Sequence, residues 1–84
     1  MGRKPAKQPQ RIAEKLRQVR LSLELTQDGM AKALERQGAE VFRSSIGLYE
    51  IGDRIPPVLV ILAYARAANI SMETLVDDEL DLPK

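Results

Sequence analysis

The chain has no cysteine, no histidine and no tryptophan. Without cysteine, neither a disulfide nor a thiolate metal site can staple a small fold. Without histidine, the commonest general base, proton shuttle and metal ligand is gone, so Ser–His–Asp triads, zinc-protease motifs and histidine–carboxylate iron sites cannot be built. A glycine-rich phosphate loop is missing too, and Ser44-Ser45 have no base in a recognisable pattern around them. These absences predict a protein that is not an enzyme, with no metal and no cofactor. The run Asp77-Asp78-Glu79-Leu80-Asp81 lacks the spaced ligands and central glycine of a calcium loop and reads as a solvated tail.

Long apolar runs are also lacking. The longest, Val58 to Ala65, is far shorter than the roughly 18–20 residues a spanning helix needs. The segment Met1 to Arg11 is basic and has no apolar stretch of the kind a signal peptide carries. The expectation is a cytoplasmic protein without a membrane segment.

What is present is 84 residues, 44% hydrophobic and 30% charged, the composition of one small domain. A domain of this size buries only about 60% of the surface its unfolded chain exposes. Its stability must therefore come from compact helix packing or from a partner subunit. The formal net charge of +1 conceals an asymmetry. Residues 1–20 hold Arg3, Lys4, Lys7, Arg11, Lys15, Arg17 and Arg20 against Glu14 alone, whereas residues 73–82 carry five acids and no base. One end suits a polyanion, and the other a protein partner or solvent.

Periodicity divides the chain into a flexible basic arm over 1–10, a helical domain over 11–77 and an acidic tail over 78–84. Ile12, Leu16, Val19 and Leu23 predict a first helix over about 11–24. Thr26 is a suitable N-cap for a second, with Met30, Ala31 and Leu34 inward and Gly38 closing it. A third runs from Arg43 to about Tyr49, with Ile46 and Tyr49 inward and Gly52 at its end. Ile55-Pro56-Pro57 is extended, because proline disfavours the helical region for the residue before it, and Pro57 can open a fourth helix. The inward face of that helix is read as Val58, Ile61, Leu62, Ala65 and Ala68; Ser71 then caps a short fifth. The fold class is all-α, a single domain of five short helices.

The most informative stretch is Thr26 to Pro57. Leu16-Arg17-Gln18-Val19-Arg20, then Thr26-Gln27-Asp28-Gly29-Met30-Ala31, then Ser44-Ser45-Ile46-Gly47-Leu48-Tyr49-Glu50-Ile51-Gly52-Asp53-Arg54-Ile55-Pro56 stand in that order. This series resembles the Cro/phage-repressor (Xre) type of bacterial helix-turn-helix domain over about residues 11–76, and the closing acidic segment looks like a single-domain subgroup of it. The resemblance implies a lambda-repressor-like domain whose helix at about 43–49 enters the DNA major groove. It assigns Gln27 to a backbone phosphate at the start of the second helix. Arg43 is expected to grip a guanine edge or a phosphate, Ser44 and Ser45 to meet bases or phosphates, and Leu48 to meet a thymine methyl group. Arg17, Arg54 and the arm are expected on phosphates, while Arg20 and Glu50 form a structural ion pair. Gly47 either permits close approach to the duplex or marks a marginal helix.

One departure from the family pattern stands out. The connection from Leu34 to Val41 is about five residues longer, adding Glu35, Arg36 and Glu40 near the docking side. The fourth helix carries a second apolar stripe, with Leu59, Val60, Ala63 and Tyr64 as candidate dimer-interface residues; Leu80 and Leu82 of the tail are the competing cover. The expected function is a sequence-specific, double-stranded-DNA-binding regulator of transcription, a repressor, acting as a homodimer. The alternative is a protein-interaction or antitoxin-like module on the same fold, with a partner at the acidic tail.

Overall fold

The computed structural model describes residues 9–83, so Arg3, Lys4 and Lys7 of the arm lie outside the described residues. Among the described residues it holds five α-helices and no strand: α1 (Ile12–Ser22), α2 (Gln27–Arg36), α3 (Arg43–Ile51), α4 (Val58–Ala68) and α5 (Met72–Val76).

Short-range chemistry explains where these helices begin and end. The Thr26 hydroxyl accepts the Gly29 N–H at 3.0 Å, and the Ser71 hydroxyl accepts the Thr74 N–H at 3.2 Å. Each satisfies a donor that the first helical turn leaves unpaired. Four helix ends are closed by a residue of positive φ, at Glu24, Gly38, Gly52 and Asn69. In each, the next N–H reaches back to a carbonyl of the last turn: Leu25 to Arg20 at 3.1 Å, Ala39 to Leu34 at 3.0 Å, Asp53 to Leu48 at 3.0 Å, and Ile70 to Ala65 at 2.9 Å. Glycine and asparagine tolerate that conformation, whereas Glu24 holds it at a steric cost of about 1–2 kcal/mol.

The long α2–α3 connection is pinned rather than loose. Glu35 and Arg36, expected in the connection, are instead the exposed last residues of α2; in the connection over 37–42, Ala39 is buried beside the core and Val41 packs against it, with Glu40 on the surface. Every helix contributes a fully buried side chain to one shared core: Leu16 from α1, Met30 and Leu34 from α2, Ile46 from α3, Tyr64 from α4 and Leu75 from α5. Full burial of an apolar side chain of this size contributes about 1.5–3 kcal/mol.

Helix α4 differs from the sequence expectation. Val60, Ala63 and Tyr64, expected on an outer dimer-forming stripe, are buried in the chain's own core together with Ile61 and Ala65. Val58, expected to face inward, is exposed, as is Leu59. The reason is that α1, α2 and α5 all pack on α4, so a helix apolar nearly all round finds its cover within the monomer.

The acidic segment after α5 lies on the start of α1. The Asp78 carboxylate accepts the N–H of Gln10 at 2.9 Å and of Arg11 at 3.0 Å, capping α1 from 67 residues away in sequence. Those two bonds hold the Asp78 carboxyl below its ordinary range. Arg11 donates to the Asp78 carbonyl at 2.8 Å and ion-pairs Asp81 at 2.8 Å, a hydrogen bond that raises the Arg11 pKa. Lys15, only 2% exposed, places its ammonium against three carbonyls, of Thr74 at 2.8 Å, Asp77 at 2.8 Å and Leu80 at 2.6 Å. Leu82 packs against the core, while Leu80 stays on the surface.

Candidate nucleic-acid interface

Helix α3 is held from behind and open in front. Its buried residues are Ile46, Tyr49 and Glu50, which helical spacing puts on one side. Ser44, Leu48 and Ile51, at i, i+4 and i+7, occupy the opposite side; Ser44 and Ile51 are exposed and Leu48 is half-buried. Arg43, at the first helical position, is exposed as well.

The buried side is oriented by one ion pair. Arg20 donates Nε to Glu50 Oε2 at 2.7 Å and Nη2 to Glu50 Oε1 at 2.9 Å, a two-point grip in which Glu50 is nearly inaccessible. The Arg20 Nη1 goes to the Leu25 carbonyl at 3.0 Å, one residue before the Thr26 cap of α2. A single guanidinium thus ties α1 to α3 and to the entrance of α2. The hydrogen bond to Glu50 raises the Arg20 pKa, so the guanidinium remains charged at any ordinary pH. A planar two-point contact constrains direction as well as distance.

Gln27, expected on a phosphate, lies over α3. Its amide points to Glu50 Oε1 at 3.5 Å, a long and weak contact, and a Cβ added at Gly47 would meet its Nε2 at 3.7 Å. A side chain at position 47 would therefore touch the Gln27 amide at an ordinary contact distance. Near the helix starts, Arg43 stands 3.8 Å from Asp28 of α2, both side chains being about two-thirds exposed. Such a pair contributes about 0–1 kcal/mol, so Arg43 can leave it cheaply. Asp28 is a site neighbour that spacing alone did not single out.

Ser45 is half-buried, whereas Ser44 points outward. At the other end of α3, a Cβ at Gly52 would lie 3.8 Å from Ala13 of α1, and Arg17 follows Ala13 on the same helix face. Arg54 lies just past Gly52 and shares a shallow depression with Gln10, Ala13 and Ile55. Arg17 and Arg54 are both exposed. Arg43 and Ser44 thus open α3 beside Asp28, Gln27 lies over Gly47 and Glu50 further along it where Leu48 also stands, and Arg54 follows its end.

No protein-family model and no curated protein matches the chain.

Two further side chains bear on the surroundings of the site. Phe42, immediately before α3, is 75% exposed. Tyr64 is fully buried beneath the site, and its hydroxyl has no hydrogen-bond partner. Burial foremost, then the nearby Glu50 charge, pushes the Tyr64 pKa far up, so it stays neutral. Among the described residues no group of carboxylates could hold a metal ion, and no helix is long and apolar enough to cross a membrane.

Proposed function

We propose that the chain is an Xre-type, sequence-specific binder of double-stranded DNA that regulates transcription in the cytoplasm as a repressor. Helix α3 enters the major groove with Arg43, Ser44 and Leu48 toward the base edges, and Arg17, Arg54 and the backbone at the start of α2 take phosphates. The observation that carries this reading is the Arg20–Glu50 grip, which locks α3 from its buried side while its opposite side stays open. A groove-reading helix needs that combination, because base readout by hydrogen bonds tolerates little angular error.

The homodimer belongs to the same proposal, through a surface that keeps Leu59 of the stripe expected from the sequence and none of its buried members. Ile55, Val58 and Leu59, around the start of α4, are the exposed apolar residues nearest one another in the chain. A two-fold contact there would set two copies of α3 on half-sites about 34 Å apart. The same exposed residues favour the second reading, a module that binds a protein partner instead of DNA.

Selection of bound sites from random duplexes, followed by titration at several salt concentrations, tests both. Expected are a recurrent half-site, affinity that falls steeply with salt, and a loss of about 5- to 150-fold for Arg43→Ala on the selected duplex. No affinity at low salt, or an Arg43→Ala variant that binds unchanged, would overturn the DNA reading.

A further inference from the structure

Helix α3 has few groups with which to form hydrogen bonds to bases. From Val41 to Tyr49 there is no carboxylate and no amide side chain; the polar groups at its front are the Arg43 guanidinium and the hydroxyls of Ser44 and Ser45, of which Ser45 is half-buried. Gly47 offers nothing, and its space is bounded by the Gln27 amide. What that front does present is apolar: Leu48, half-buried, and Ile51, exposed; just before the helix stands Phe42, the sole phenylalanine of the chain and 75% exposed.

Phe42 also sits where the fold would prefer another residue. It occupies the N-cap of α3, its carbonyl accepts the first N–H groups of the helix, and its side chain makes no capping bond. Two other helices of the same chain are capped by Thr26 and Ser71. A Ser, Thr, Asp or Asn at position 42 would stabilise α3, and the exposed ring gains nothing from the core. Neither local helix chemistry nor packing accounts for an aromatic ring there.

We infer that Phe42 is a specificity-determining residue, which reads a thymine C5-methyl group at the start of α3, in addition to the one expected of Leu48 further along the helix. The inference rests on the DNA reading above and names what α3 recognises. The thymine methyl is the one apolar group on a major-groove base edge, and an aromatic or aliphatic side chain laid on it discriminates without hydrogen bonds. Phe42 directly precedes Arg43, so the exposed ring and the guanidinium stand at the same end of α3. Each half-site therefore carries thymine beside the base that Arg43 contacts.

The test uses the full chain and the duplex selected from the random pool, synthesised with thymine and again with uracil, which lacks only the methyl. Each methyl removed from beside Phe42 or Leu48 is expected to weaken binding about fourfold. Phe42→Ala should weaken binding to the thymine duplex and lose the thymine–uracil difference at its position. A second variant, Phe42→Ser, should unfold at higher urea than the wild type and show the same lost discrimination, which separates readout from folding. If duplex binding is salt-dependent but uracil and thymine bind equally, or if Phe42→Ala keeps the full difference, the inference is overturned and the DNA reading stands. If no duplex binds at low salt, both fall.

Discussion

Lys15 closes the fold, and replacing it with methionine isolates how. Methionine keeps an unbranched stem of similar length among the same neighbours and removes only the ammonium and its three hydrogen bonds, to Thr74, Asp77 and Leu80 at 2.8, 2.8 and 2.6 Å. A hydrogen bond to a charged group contributes about 1.5–3 kcal/mol, and the ammonium's own desolvation offsets part of the sum. Leu80 is itself an exposed residue of the tail, so fraying there would let water reach its carbonyl. The Thr74 and Asp77 carbonyls, at the end of α5, are harder to rehydrate without releasing Leu75 from the core. The expected loss is therefore about 3–5 kcal/mol, comparable to removing one partner of a buried ion pair. At about 0.05–0.15 kcal/mol per residue, a chain of 84 residues has only about 4–13 kcal/mol in all. Lys15→Met should accordingly move the urea midpoint a large fraction of the way to zero, while Arg17→Met, on the exposed face of the same helix, should shift stability by less than about 0.5 kcal/mol. Amide exchange over residues 76–82 should accelerate selectively in the Lys15 variant. Stability of Lys15→Met within about 1 kcal/mol of wild type would refute the reasoning, since the three carbonyls would then be satisfied as well by water.

Three further outcomes follow from other positions. Glu24→Gly, at a positive φ of 58° closing α1, should raise stability by about 1 kcal/mol in urea unfolding, and a destabilised variant would show that the glutamate side chain contributes more than its backbone strain costs. Tyr64→Phe removes a buried hydroxyl that has no partner, so thermal unfolding should show equal or higher stability, by up to about 1 kcal/mol; a loss beyond about 1 kcal/mol would mean that the hydroxyl is satisfied in solution. The Asp78 carboxyl is held below its ordinary range by the N–H groups of Gln10 and Arg11, so its stabilisation is complete above the unfolded-state value near 3.9 and disappears as pH falls through the lower folded-state value. Urea midpoints of wild type and Asp78→Asn should therefore differ most at neutral pH and converge in acid, and a gap independent of pH would contradict the capping role.

Much of this architecture is written in local chemistry. Thr26 and Ser71 as N-caps, Gly38, Gly52 and Asn69 at helix ends, and the Pro56-Pro57 break before α4 each act within a few residues, so the amino-acid order alone predicts the five helices. The Arg20–Glu50 pairing was likewise expected, although only from the resemblance of an ordered motif, because thirty residues separate the two. Which sides of the helices are covered was another matter. Helix α4 is apolar nearly all round, so its periodicity could not choose a buried face; the packing of α1, α2 and α5 chose Val60, Ala63 and Tyr64 and left Val58 and Leu59 to solvent. An acidic terminal run looks like a solvated tail when read by composition, yet Asp78 caps α1 and Lys15 binds the carbonyls around it. Backbone carbonyls carry no sequence signature, and neither does the space above Gly47 that Gln27 occupies. Sequence alone determined where the chain turns and which residues can be polar or apolar. Only the tertiary structure decided which of them meet, because a long-range contact depends on every helix's position at once.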